Sequence, residues 1–300
     1  MRRSPRTLLL IFAAAAAIAA LSLGPARLAV AMTAAVKGWL VPIAPFQIAQ
    51  GLYYVGSKEV GAYLIVTDDG LILLDGGAEG FARQELANVS ALGFDPRRVR
   101  ILLNSHAHLD HAGALAALKR ATGARFYASR ADTPLLQSGG RGDFFWDDTM
   151  RFPPVRVDQI IDDGAKVSLG GVTLTAHVTA GHTKGCTTWT GAFKTGGVVR
   201  QALFLCSVSV LPGYRLVGDP KYPGQAADYE ASFRTLRALP CEIFLGSHGG
   251  FYGMLAKRAA LAAKPASNPF VDPQGCRSFL ADSEAAFRTR LAQVSGGKAP

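Results

Sequence analysis

The stretch VRILLNSHAHLDH, residues 99–111, decides how the rest of the chain is read. Its first half, Val99 to Leu103, is a short apolar run with the length and composition of a buried strand. Its second half places His106, His108, Asp110 and His111, four potential metal ligands, within six residues at the mouth of that strand. Three of the chain's six histidines fall here, a cluster that chance does not readily supply. Imidazole and carboxylate donors together suit zinc. Extended backbone alternates its side chains, so His106 and His108 share one side, while Asp110 and His111 turn at the start of the next helix toward a second ion.

Working outward, two further histidines follow expected strand ends. They are His182 in Ala180-Gly181-His182-Thr183 and His248 in Gly246-Ser247-His248-Gly249. Each is placed to complete one metal site. His177 lies inside an alternating segment with Thr173, Thr175 and Thr179 and reads as a packed or hydrogen-bonded histidine.

The segment from Leu52 to Asp75 alternates and then runs apolar around the turn Asp68-Asp69-Gly70, a hairpin or meander. A helix is expected from Glu79 to Leu92, closed by Gly93. After the histidine cluster come a helix, Ala114 to Thr122, and a short strand, Arg125 to Ala128. Gln137 to Pro154 has no period and reads as a long surface loop, offering Phe144, Phe145 and Trp146 as an apolar wall. Strands are then expected at Val155–Ile161, Lys166–Leu169, Val172–Thr179, roughly Cys186–Phe193 and Val198–Leu205. A helix from Asp228 to Leu239, a strand from Glu242 to Leu245 and two helical segments close the chain. Strands and helices in this order imply an α+β chain with two sheets packed face to face and helices outside, in a single domain.

Composition agrees. Three hundred residues, 49% hydrophobic and 18% charged, describe a compact globular protein. Arg2, Arg3 and Arg6, the apolar run Leu8 to Leu23 and the small residues Ala29-Val30-Ala31 read as an export signal, leaving residues 32–300 as the mature domain. The sixteen-residue run falls short of the about 20 that span a bilayer, so a periplasmic protein free of the membrane is expected. Cleavage would remove four arginines, leaving 28 Lys and Arg against 22 acids and lowering the formal charge from +10 to +6. No cluster of five or more basic residues survives, so nucleic acid is not an expected partner. Four cysteines, Cys186, Cys206, Cys241 and Cys276, suggest two disulfides in an exported chain, and their spacing leaves three connectivities open.

The His-x-His-x-Asp-His motif, the apolar strand before it and the turn Leu74-Asp75-Gly76-Gly77 resemble the metallo-β-lactamase superfamily, from about Leu52 to the C-terminus. Gly181-His182-Thr183, Pro212-Gly213-Tyr214 and Ala238-Leu239-Pro240-Cys241 resemble subclass 3 of the class B β-lactamases. The resemblance implies a four-layer αββα sandwich holding two zinc ions, the first on His106, His108 and His182, the second on Asp110, His111 and His248. It also implies a monomeric hydrolase that opens the ring of penicillins, cephalosporins or carbapenems by attack of a zinc-bound hydroxide. Asp110 would orient that hydroxide, and Ser207 and Ser209 would receive the substrate carboxylate. It further implies disulfides Cys241–Cys276 and Cys186–Cys206. Other hydrolases of the superfamily carry a bridging aspartate where this chain reads Leu205-Cys206-Ser207. Two alternatives remain: a periplasmic metallo-hydrolase of another ester, lactone or thioester, and a zinc-binding protein without turnover.

Overall fold

The computed structural model describes residues 38–263 and 265–296, and the first four strands among them are short: β1 (Phe46–Ala49), β2 (Leu52–Tyr54), β3 (Tyr63–Thr67) and β4 (Gly70–Leu74). The expected signal, residues 1–31, lies outside the described residues. After β4 come helix α1 (Ala82–Ala91), β5 (Val99–Leu103), the single turn α2 (Leu109–Ala112), α3 (Leu115–Thr122), β6 (Arg125–Ser129), α4 (Thr133–Ser138) and β7 (Gln159–Ile161). These seven strands lie in sequence order in one sheet, antiparallel up to β4 and parallel from β4 to β7.

The second sheet has the order β12-β11-β10-β9-β8. Its strands are β8 (Lys166–Leu169), β9 (Val172–Val178), β10 (Thr187–Thr195), β11 (Val198–Leu205) and, after helix α5 (Gln225–Ala238), β12 (Ile243–Gly246). Only β11 and β12 run parallel there. Helices α6 (Met254–Ala262) and α7 (Pro273–Gly296) follow.

Strand alternation builds the layers. On β4, Ile72 and Leu74 face the second sheet, while Leu71 and Leu73 face α1 and α3. Ile101 and Leu103 of β5 likewise point between the sheets, and Val99 and Leu102 point to the helices. A strand this apolar on both faces needs a covering layer on each side. Phe233 and Leu236 of α5 and Phe287 of α7 cover the second sheet. The result is the expected αββα sandwich in one domain.

Two stretches depart from the sequence reading. Residues 133–138 form α4, with proline in its first turn and Gly139 closing it at φ +68°, a start and stop that lack of periodicity had masked. The strand expected at Val155–Ile161 shrinks to β7, because the Val155 N–H donates to the Leu136 carbonyl and Val157 to the Gln137 side chain rather than to a neighbouring strand.

Candidate metal centre

Because β4, β5 and β6 run in one direction, and β11 and β12 are parallel in the facing sheet, the segments leaving these strands gather at one edge of the sandwich. Asp75 leaves β4, His106 to His111 leave β5, Asp132 leaves β6, Ser207 leaves β11 and His248 leaves β12; His182 sits in the β9–β10 connection. The five site histidines, separated by up to 142 residues, thereby meet.

His106, His108 and His182 form a triangle with ring centroids 4.8–4.9 Å apart, their donor atoms within 4.8 Å of one another. Beside it, His111 Nε2 lies 3.2 Å from His248 Nε2 and 3.2 Å from Asp110 Oδ2, and His248 Nε2 lies 3.4 Å from the same oxygen. Ligands about 2.1 Å from a tetrahedral zinc are about 3.4 Å from each other, so this second triad already has the edges of such a site. His106 and His111, at 4.3 Å between centroids, join the two groups. Cys186 and Cys206 also lie near His106, but their disulfide leaves no thiolate to offer.

The far nitrogens of His106 and His182 are hydrogen-bonded from outside, and those of His111 and His108 face buried carboxylates. His106 Nδ1 is 3.0 Å from Ser105 Oγ, whose hydroxyl donates to Asp75; His182 Nδ1 donates to the Ser209 carbonyl at 2.9 Å. His111 Nδ1 is 3.3 Å from Asp75 Oδ2, and His108 Nε2 is 4.0 Å from Asp143 Oδ2. The hydrogen bonds on His106 and His182 fix ring orientation and tautomer and leave the other nitrogen's lone pair for a metal. His106 Nε2 is buried with no partner among the described residues, the condition of a donor atom awaiting an ion. Asp75 itself takes a left-handed backbone (φ +66°) and also accepts from Asn104 Nδ2 and the Ser105 N–H. That turn makes one carboxylate serve both triads.

Electrostatics match the donor set. Burial, then the neighbouring imidazoles, pull His106 and His182 well below the usual histidine range, and burial takes His248 down to about 4. These rings are neutral at pH 7, as metal ligands must be. Burial opposes the charge on Asp110, but His111, His248 and His108 outweigh it and keep this carboxylate ionised. Burial likewise disfavours a proton on His111, yet Asp110 and Asp75 raise it to about 10, a proton that a cation would replace.

A cavity of about 240 Å³ opens over the two groups. Ser207 and Ser209 line it, and the Ser209 N–H donates to Ser207 Oγ at 3.2 Å. Of the three aromatics expected to form its wall, only Trp146 lines it: Phe144 and Phe145 pack at steep angles against Tyr214 instead, at 5.2 and 4.8 Å between centroids. Trp39, Met150 and Leu211 complete the apolar side. No periodic or motif signal marked these three in the sequence. His177 is elsewhere, on β9, with Nε2 2.9 Å from Thr190 Oγ1. The structure joins Cys186 to Cys206 and Cys241 to Cys276, the two pairings implied by the resemblance.

Residues 59–248, which hold both groups and strands β3 to β12, match the metallo-β-lactamase superfamily. The chain belongs to this superfamily. Among solved structures, the native FEZ-1 metallo-β-lactamase of Legionella gormanii is 41% identical with a TM-score of 0.83, over 85% of this chain and 98% of that one. BJP-1, a subclass B3 metallo-β-lactamase of Bradyrhizobium japonicum, is 38% identical with a TM-score of 0.82, over 88% of this chain and all of that one. A probable metallo-hydrolase of Burkholderia pseudomallei is 32% identical over 165 residues, 53% of either chain. A hydroxyacylglutathione hydrolase of Anaeromyxobacter dehalogenans is 33% identical over 141 residues, 46% of either. The chain thus spans about half the length of the curated relatives it matches. As in the superfamily's fold, the metal-type donors here sit at one sheet edge.

Proposed function

We propose that this chain is a periplasmic, monomeric, dizinc hydrolase that opens the β-lactam ring of penicillins, cephalosporins or carbapenems and so confers resistance. His106, His108 and His182 hold the first ion, and Asp110, His111 and His248 hold the second. The observation that carries the reading is the pairing of a three-imidazole triangle with an Asp–His–His triad under one cavity, with Ser207 and not a carboxylate at the end of β11. The likeness to metallo-β-lactamases over nearly their whole length supports the choice of substrate.

When bound, zinc supplies Lewis acidity toward the lactam carbonyl and makes hydrolytic attack available near neutral pH. The protein's part is placement. Asp110, kept ionised by its histidine neighbours, would accept a hydrogen bond from the attacking water and orient it. Ser207 and Ser209 offer hydroxyls to the substrate carboxylate. Trp39, Trp146 and Leu211 cover the apolar substituents and keep bulk water from that side.

Initial rates on a chromogenic cephalosporin and on an acyl-homoserine lactone, for zinc-loaded and chelated protein with metal content measured on the same sample, test this directly. Chelator-sensitive lactam hydrolysis at two zinc ions per chain is the expected result. Faster lactone turnover would favour the second reading, a hydrolase of another ester, lactone or thioester, toward which the likeness to a hydroxyacylglutathione hydrolase points. Metal uptake with no hydrolysis of either would leave a zinc-binding protein.

A further inference from the structure

Asp132 sits at the N-cap of α4, yet its carboxylate makes no bond to that helix. A capping aspartate ordinarily accepts from the first N–H groups of its own helix. Here the side chain, in a residue only 2% exposed, turns the other way. Its Oδ2 accepts from the Ala107 N–H at 3.0 Å and from Thr183 Oγ1 at 2.8 Å, and its Oδ1 accepts from the Gly185 N–H at 2.8 Å. Ala107 stands between His106 and His108, and Thr183 follows His182. One carboxylate therefore ties the segment leaving β5 in the first sheet to the β9–β10 connection in the second, and these two segments carry all three imidazoles of the first triangle.

Gly185 gives an independent sign of how tightly the second segment is drawn in. A Cβ there would stand 2.5 Å from the Asp132 nitrogen, 2.8 Å from its Cγ and 2.1 Å from Ser129 Oγ. Only a residue without a side chain lets the connection reach Asp132. The second triad has no such tie across the sheets at Asp132, since none of the three donors belongs to the segment of His248.

We infer that Asp132 is a positioning residue for the first metal site: by bonding Ala107, Thr183 and Gly185 it holds His106, His108 and His182 at ligating distance before any ion arrives. The inference rests on the ligand assignment proposed above. It goes beyond it in placing the site's preorganisation in a residue that touches neither metal nor substrate. Buried partners of metal ligands typically control affinity by 10- to 100-fold when removed.

The test measures Zn2+ binding by competition with a chromophoric chelator, in a His248→Ala background where the three-imidazole triangle keeps its full donors and the second triad does not. Adding Asp132→Asn, which puts an amide donor against one of the three donors, is expected to weaken Zn2+ binding by about tenfold or more. The absorption of the cobalt-substituted protein should change as well, since its bands report ligand geometry. Thr183→Val removes one bond of three and should give a smaller loss in the same direction. Gly185→Ala keeps the carboxylate but forces the segments apart, and should weaken binding like Asp132→Asn. In the chain with His248 intact, Asp132→Asn should lower kcat with little change in KM. Wild-type affinity and cobalt spectrum in Asp132→Asn, measured well below its melting temperature, would overturn the inference even if the variant melts earlier, because a merely structural role predicts that outcome. If Asp132→Asn does not fold, Thr183→Val decides: unchanged affinity overturns the inference. A wild-type chain that binds Zn2+ but hydrolyses no lactam would sink the functional reading alone, whereas one that takes up no metal would sink both.

Discussion

Glu85 is the clearest place where this fold works against itself. It lies on α1, fully buried, and neither carboxylate oxygen has a hydrogen-bond partner among the described residues. Burial, then the charge of Asp75, raises its pKa well above the usual carboxylate range. Leaving such a polar group unpaired costs about 1–3 kcal/mol. Between the unfolded pKa, near 4.5, and the higher folded one, the native state keeps a proton that the unfolded chain has lost. The contribution of Glu85 to stability is then fully present below pH 4.5 and is lost at up to about 1.4 kcal/mol per unit as pH rises toward the folded pKa. Glu85→Gln removes only the ionisation, and Glu85→Leu removes the orphaned polarity too. Relative to wild type, both should gain stability as pH rises from 5 to 7, by at most about 3 kcal/mol, and Glu85→Leu should keep an added gain of about 1–3 kcal/mol at pH 5. For a chain of this size about 1 kcal/mol moves Tm by roughly 2–4 °C, so thermal unfolding of the three proteins across that range resolves the effect. Differences between variant and wild type that stay constant with pH, or a Leu variant that melts earlier, would refute the reasoning.

Trp146→Ala and Trp39→Ala each strip apolar contact from the cavity wall and should raise KM about 5- to 20-fold with kcat changed less, since they remove binding shared by substrate and transition state; an unchanged KM would argue against a wall at those positions. His248→Ala deletes one vertex of the second triad and should leave about one zinc per chain with turnover down by about 100-fold or more, read from metal analysis and initial rates on the same sample. Replacing Cys241 and Cys276 by serine opens a cross-link across 35 residues and should cost about 3–4 kcal/mol in denaturant unfolding with the metal content unchanged.

The metal-type donors and the sandwich were both legible early, for different reasons. Only a few side chains can ligate zinc, so a run such as His106 to His111 declares itself by residue type, and His182 and His248 do so by standing at strand ends. Period-two alternation on β4 and β5 says which residues face which layer, because a strand has only two faces. Where those signals fail, the reading failed too. The short helix α4 went unread between the strand expected at Arg125–Ala128 and the loop expected from Gln137, since six residues are too few to show a period of 3.6. Phe144 and Phe145 were grouped with Trp146 because all three are aromatic, and only packing against Tyr214 separates them.

By itself, then, the sequence determined the chemistry on offer: which groups can bind a cation, which strands are buried, which cysteines are available. Tertiary structure alone decided how that chemistry is aimed: that Asp75 braces both triads, that Asp132 turns from its own helix to tie two segments together, and that Trp39 lines the cavity from a segment far from any motif. The reason is physical. A ligand's identity is a property of one side chain, whereas its orientation is set by hydrogen bonds and contacts between segments distant in the chain, and no local pattern says which partner a side chain such as Asp75, Asp132 or Trp39 will meet.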